Sequence, residues 1–495
     1  MTHTPSTKKH STAVAQLQPS RDNDRITPEE CDEITSNWRR YWSFEAAIDC
    51  CHYCRRPITI APKFKGVWMG LDRDQGLTGY DMTYQIKCGS RLAEKCPACS
   101  QLYSIDANRL VALGLFGDGE NVPLTVSDHP QLFFTLTVPS FGRVHHYVER
   151  QKGKPGICHP GKKEHDEDGA RHNCGRTHEK DDPLVGTPIC PDHYDFAGQV
   201  LANAMAGKVW NRFYDHELKR CLARELHISK KKLDNYLTIE AVKTVEMQTR
   251  LAVHYHGFIR LDGPTGQGSV PLVKVTDAQL VKAFRTAAAK TVVHKKFEAY
   301  PKDSNPIKRD FRFGVQMDAV VINDENAKFF AWYAAKYATK AATEAPGFLS
   351  RFRSLDQIEA VSDKHWFPRQ LAKTAWAMGA DPRFDELKLR QHAHTFGFGG
   401  HFISKSRNWS VDFADLKVLR RKWAIDHIDP EHPRRSNIPD GLFDDPDVTW
   451  AVIAVGWDTP LEARAVRAWY LDYKEACALE REQREFELGW ERMLA

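Results

Sequence analysis

The sequence predicts an α+β protein, and three patterns carry that reading. Gln131-Leu-Phe-Phe-Thr-Leu-Thr-Val-Pro139 alternates and is rich in aromatic and β-branched residues, as a strand is, and strand signals return from Tyr236 to Leu261. Between them, Ala197 to Arg224 places Val200, Leu201, Met205, Val209, Phe213 and Leu218 near a 3.6-residue period, which predicts an amphipathic helix. Ten of the twelve cysteines lie at or before Cys190, several in close pairs, so the N-terminal third is expected to bind metal. The 495 residues suffice for about three domains. No stretch approaches about 18 uninterrupted apolar residues, which excludes a polytopic membrane protein. A net charge of +5 is too slight to identify a polyanionic partner, so the distribution of charge has to decide.

Four zones follow along the chain. Residues 1–25 lack the apolar core of a secretory signal and are expected to form a disordered polar arm, which places the protein in the reducing cytoplasm. Residues 26–110 make a zinc-binding module with a four-cysteine site, ending in a helix from Cys99. Residues 111–345 form the core, interrupted at 150–194 by an insertion rich in Gly, His, Cys and charge. Near its end a helix opens at Asn323-Asp-Glu325, where the Asn caps and the acids fill the first turn, and it stops at Pro346-Gly347. Residues 346–495 are expected to be mainly helical, with a basic, aromatic middle that binds DNA. Thr459, Pro460 and Glu462 form a capping box that opens the last helix.

Chemistry concentrates in two places. In Val253-His254-Tyr-His256 the histidines stand two apart, so on a strand both imidazoles project from one face and can meet one metal ion. Glu246 and Gln248 share that parity, and a turn near Thr249 to Leu251 would bring one of them back as a third ligand. Two His and one such group leave coordination positions open, as a catalytic metal requires. Gln391-His392-Ala-His394 repeats the spacing with no acid closer than Glu386 and is read as structural. The second place is Phe329-Phe-Ala-Trp-Tyr333-Ala-Ala-Lys336-Tyr337-Ala-Thr-Lys340. On a helix, Phe329, Tyr333, Lys336, Tyr337 and Lys340 share a sector of about 100°, opposite a row of alanines. A phenol is a poor nucleophile near neutral pH, and neighbouring ammonium groups and a divalent metal would favour the phenolate.

These motifs resemble, in family order, the HUH endonucleases of rolling-circle replication. Phe133-Phe-Thr-Leu-Thr137 is similar to the first strand motif, Val253-His-Tyr-His256 to the metal motif, and Tyr333-Ala-Ala-Lys-Tyr337 to the two-tyrosine motif. More closely, the chain resembles the RepSA-type replication initiators of actinobacterial plasmids and integrative conjugative elements. The shared features are Cys88-Gly-x-Arg91, Cys96-Pro-Ala-Cys99, Cys190-Pro-Asp-x-Tyr194, Glu246-x-Gln-x-Arg250 and Gly397-Phe-Gly-Gly-His401. The likeness runs over about residues 45–425 and departs at His193, where the family more often has Cys. It implies an HUH nuclease core, with an RRM-like antiparallel sheet and flanking helices, and plasmid replication initiation as the function. It further implies that His254 and His256, with Glu246 or Gln248, hold Mg²⁺ or Mn²⁺. Tyr333 or Tyr337, aided by Lys336, would nick one strand of single-stranded or supercoiled origin DNA, leaving a 5′-phosphotyrosyl bond and a 3′-hydroxyl. A host helicase and polymerase are the further partners implied.

The remaining ligand groups are read as structural. Cys51-x-x-Cys54 and Cys96-x-x-Cys99 have the arrangement of a four-thiolate zinc ribbon, with Cys50 and Cys88 as spare candidates. In the insertion, Cys158, Cys174, His178, Cys190 and His193 offer a second zinc site, expected on Cys158, Cys174, Cys190 and His193. Between Lys282 and Arg312 nine basic residues face three acids. Lys405 and Arg407 of Ser404-Lys-Ser-Arg-Asn-Trp409, together with Lys340, are the expected phosphate contacts. Two other readings fit the motifs: an HUH transposase or conjugative relaxase with the same chemistry, and a zinc-dependent DNA-binding regulator without catalysis.

Overall fold

The computed structural model describes residues 26–36, 44, 47–48, 51–64, 67–68, 83–149, 154–160, 173–298, 306–323, 325–326, 329–330, 333, 347–426 and 445–494. The polar arm, and Lys336, Tyr337 and Lys340, lie outside the described residues. The chain divides into two compact units: one centres on Asp106–Leu416, the other joins Ala15–Ile105 to Lys417–Ala495. Among the described residues no helix is long and apolar enough to cross a membrane.

In the second of these units, α1 (Pro28–Thr35) starts at a Thr27/Glu30 capping box. Strand β1 (Ile58–Phe64) pairs with β2 (Val67–Trp68), β3 (Tyr84–Ile86) and β11 (Val448–Val455), all antiparallel. β11 is a strand within the C-terminal region expected to be mainly helical, whose other long described elements are helices. Val-Thr-Trp-Ala-Val-Ile-Ala-Val is a β-branched, strand-like run, overshadowed in sequence by the helix signal beside it. That signal is accurate, for Thr459 and Glu462 exchange hydrogen bonds of 3.1 and 3.0 Å at the start of α9 (Pro460–Leu494). The Cys-bearing module is thus completed by residues more than 350 positions away in sequence. Trp457 Nε1 donates to the Cys54 carbonyl (2.9 Å), and Val466 packs with Ile34 and Phe44.

The larger unit is built on a five-stranded antiparallel sheet of order β10-β5-β6-β4-β9. Its strands are β4 (Gln131–Thr137), β5 (Thr238–Met247), β6 (Val253–Asp262), β9 (Met317–Val321) and β10 (Ile403–Lys405). The β5–β6 turn falls where expected, with Leu251 left-handed at φ 60°. β7 (Val292–Phe297) and β8 (Ile307–Arg312) pair as a separate ribbon. Helix α2 (Pro97–Phe116) precedes β4, and α3 (Phe196–Arg212) continues through a π-helical turn, Phe213–Leu218, into α4 (Lys219–Glu225). All six apolar positions read from the 3.6-residue period are in the core. With α5 (Asp277–Lys290) they cover one sheet face, and α7 (Trp366–Met378), which follows α6 (Leu355–Glu359), packs against α3. α8 (Phe413–Asp426) follows β10.

Period-2 geometry sorts β6 into two chemistries. Tyr255, Ile259 and Leu261 enter the core with Leu132, Phe134 and Leu136 of β4. Gly257 permits the closest approach, since a Cβ there would stand 2.4 Å from Phe134 Cζ. His254, His256 and Phe258 point to the other side. At the end of β6, Arg260 and Asp262 form a buried bidentate pair (2.7 Å each), and Asp262 meets His129 Nδ1 at 2.8 Å. Burial works against the Asp262 carboxylate, but hydrogen bonds from His129 and Arg260 hold its pKa below the usual range.

Candidate functional site

The register of three strands assembles the site. Glu246 of β5 and Thr137 of β4 lie directly opposite His254 on either side, and Thr244 and Thr135 flank His256 in the same way. Residues directly opposite in antiparallel strands share a face, so one polar patch forms from residues far apart in sequence. β9 adds Asp318 opposite Thr135, whose hydroxyl donates to its carboxylate at 2.8 Å.

The two imidazoles stand edge to face with ring centres 4.4 Å apart. His254 Nδ1 shares a 2.6 Å hydrogen bond with Thr137 Oγ1, so Nε2 is the ring nitrogen left for a ligand. Burial, then the neighbouring His256, pushes His254 down to about 4, which keeps it neutral and ligand-competent near neutral pH. His256 Nε2 lies 3.4 Å from Glu246 Oε2. Of the two third-ligand candidates, Glu246 is therefore the one beside the pair. Gln248 is engaged elsewhere: Arg250 Nε donates to its Oε1 (2.8 Å), while the same guanidinium donates to the Val138 and Pro139 carbonyls. Two imidazoles and a carboxylate are a donor set that fits a divalent cation with positions left open.

Tyr333 completes the patch. Its helix rests on the aromatic end of the same face, where Phe330 is buried against Phe133 (5.1 Å) and Tyr333 meets Phe133 edge-on (4.8 Å). This brings the Tyr333 hydroxyl 3.5 Å from His256 Nδ1. A phenol and a carboxylate thus approach the two nitrogens of one imidazole. Before it, Asn323 and Asn326 exchange hydrogen bonds of 2.9 and 3.1 Å in a turn.

Other expected residues fall differently. The clustered thiols are Cys54, Cys88, Cys96 and Cys99, with Sγ atoms all within 4.8 Å, a set able to bind a metal such as zinc. Cys88 replaces Cys51, which is buried beside the set. The two residues of the Cys51-x-x-Cys54 turn, His52 and Tyr53, are both left-handed. In the insertion, Cys158 and Cys174 gather with His145 and His178, while Cys190 and His193 pair separately at 3.1 Å. Lys405 is not a free phosphate contact. Its ammonium donates to the Ser410 carbonyl (2.8 Å) and pairs with Asp412 (2.9 Å), so it clamps its own loop, whereas Arg407 is exposed. His392 packs under Gly399, and the His394 carbonyl accepts from Phe348 N–H.

Thr137, Thr135 and Asp318 were not singled out by the sequence. Thr135 and Thr137 had a signal, their place in the first strand motif; Asp318 had none. Comparison with known proteins follows the same lines. The model of the RepSA family, described as "Replication initiator protein, pSAM2", matches residues 40–470. A replication initiator protein of Streptomyces ambofaciens is 36% identical over 346 residues, covering 68% of this chain and 69% of that protein. No solved structure matches.

Proposed function

Because the chain belongs to the RepSA family of replication initiator proteins, we propose that it starts rolling-circle replication by nicking and rejoining one strand of origin DNA. The observation that carries this reading is the Tyr333 hydroxyl, 3.5 Å from an imidazole of a two-His, one-carboxylate patch on the sheet face opposite the main core. The phenolic oxygen of Tyr333 attacks the scissile phosphorus, and the bond to the 3′ oxygen breaks. The phenol proton leaves and the 3′ oxygen gains one, giving a 5′-phosphotyrosyl ester and a free 3′-hydroxyl. Rejoining reverses the step, and because the ester keeps the bond energy no nucleotide hydrolysis is needed. A Mg²⁺ or Mn²⁺ ion held by His254, His256 and Glu246 would polarise the attacked phosphoryl oxygen. Thr137 fixes the His254 ring, and Phe133 and Phe330 fix the tyrosine's approach. Tyr337 is the second phenol in this scheme, with Lys336 and Lys340 as its cationic neighbours.

The test uses single-stranded origin DNA labelled at its 3′ end, with Mn²⁺. The intact protein is expected to become linked to the labelled fragment on the 5′-phosphate side of the nick. Tyr333→Phe combined with Tyr337→Phe should abolish the adduct, and cutting by that double variant would contradict the reading.

A further inference from the structure

We propose that His145, Cys158, Cys174 and His178 hold one Zn²⁺ ion, and that this ion braces the turn between β5 and β6. The inference stands apart from the nicking chemistry.

The four donor atoms lie within 4.8 Å of one another, although His145 precedes the insertion and the other three lie within it. His178 Nε2 is 3.1 Å from His145 Nδ1 and 3.2 Å from Cys174 Sγ. Tetrahedral zinc with ordinary Zn–N and Zn–S bonds sets its ligand atoms about 3.3–3.8 Å apart, so only a small adjustment separates this cluster from a closed site. The ring of His178 is already aimed: its Nδ1 meets Asp182 Oδ2 at 2.6 Å, leaving Nε2 to the cluster. Such a carboxylate–histidine pair is the usual support of a zinc-bound imidazole. Cys158, Cys174 and His178 are all buried, yet among the described residues no apolar cluster takes them in. What joins them is a bridge from Ile157 to Thr177 and a turn at Gly175, φ +66°. A metal supplies the cohesion that so small a core lacks. A two-sulfur, two-nitrogen set favours zinc among the common divalent ions.

The same segment reaches the β5–β6 turn. His145 N–H donates to the Thr187 carbonyl (2.9 Å), and Gly186 N–H donates back to the His145 carbonyl (2.7 Å). Gly186 is left-handed at φ +91° and lies so close to Thr249 that a Cβ would come within 2.4 Å of the Thr249 carbonyl oxygen. Thr249 belongs to the turn that sets the register of Glu246 against His254. An ion on His145 therefore fixes the surface against which that turn rests. A competing trio, His146, Cys158 and His159, has three donors and an exposed His146, which leaves it short of a fourth ligand for a closed site among the described residues.

The test measures zinc per full-length chain by elemental analysis and amide exchange by mass spectrometry. His178→Ala is expected to remove one equivalent of zinc, and the double variant His146→Ala, His159→Ala none. Asp182→Asn, a milder change that keeps the ligands, should weaken zinc binding about 10–100-fold in competition with a chelator. Cys54→Ser, on the other cluster, should remove a different equivalent and leave the insertion protected. Loss of the insertion zinc should speed exchange at Gly186–Ile189 and at the turn amides of Gln248 and Leu251. Zinc retained by His178→Ala overturns the site, and zinc lost without faster turn exchange overturns the brace.

Discussion

The two faces of β6 are made by alternate residues of one ten-residue strand, yet they behave as different materials. Tyr255, Ile259 and Leu261 meet a packed wall of Phe134, Val209 and Phe284, whereas His254 and His256 meet Thr137, Glu246 and Tyr333. The first face holds the sheet together. The second carries groups that a stability argument alone would not place there, and it is the one the proposed chemistry would use. The difference teaches that in this fold the candidate site begins where the apolar alternation is replaced by polar residues of one parity.

The sharpest way to break the comparison is to blunt the polar face. His256→Ala should cut Mn²⁺-dependent cleavage by about 10³-fold, the worth of several kcal/mol of phosphoryl polarisation, with little change in melting temperature. Neighbouring phenylalanines of β4 provide the next test, because they project to opposite faces. Phe134→Ala should cost about 3–5 kcal/mol of stability by chemical denaturation, leaving activity per folded molecule intact. Phe133→Ala, which removes the ring under Tyr333, should lower cleavage more than it lowers stability. Thr137→Val keeps the shape of the side chain but frees the His254 ring. It should weaken Mn²⁺ binding about 10–100-fold by titration, and Thr137→Ser should restore it.

The smallest effect comes from a buried lysine on the apolar face. Lys243 lies over the rings of Trp210 and Tyr255, and burial pushes its amine down to about 8. Between pH 8 and its ordinary value near 10.5 the unfolded chain holds a proton that the native chain has released, so stability rises with pH across that window. Below pH 8 both states are charged and the burial penalty is constant. Lys243→Met should therefore stabilise the protein by about 1 kcal/mol at pH 7, after allowing for the lost ring contacts. The gain should fade toward pH 10.5 in denaturation curves.

Much of this was legible from residue order. The His-x-His parity, the turn before Leu251, the helix core positions and the Thr459 cap all follow from local patterns. What the sequence concealed depends on register and on distant chain. Thr137 and Asp318 become site neighbours only through strand pairing, which leaves no local mark. Cys88 takes the place expected for Cys51 because a Cys-x-x-Cys spacing does not say which sulfur faces a cluster closed from another strand. His145 joins Cys158, Cys174 and His178 from before the insertion, so no spacing within the insertion announces it. β11 was hidden because its pairing partner lies at the other end of the chain.

The most direct measurement of the central claim is mass-spectrometric mapping of the protein–DNA adduct after reaction with origin single strands. The account predicts a nucleotide fragment joined through its 5′ phosphate to the peptide that contains Tyr333 and Tyr337. Its formation should fail without divalent cation or after Glu246→Ala combined with His256→Ala. An adduct on any other residue, or efficient nicking with no adduct at all, would contradict it.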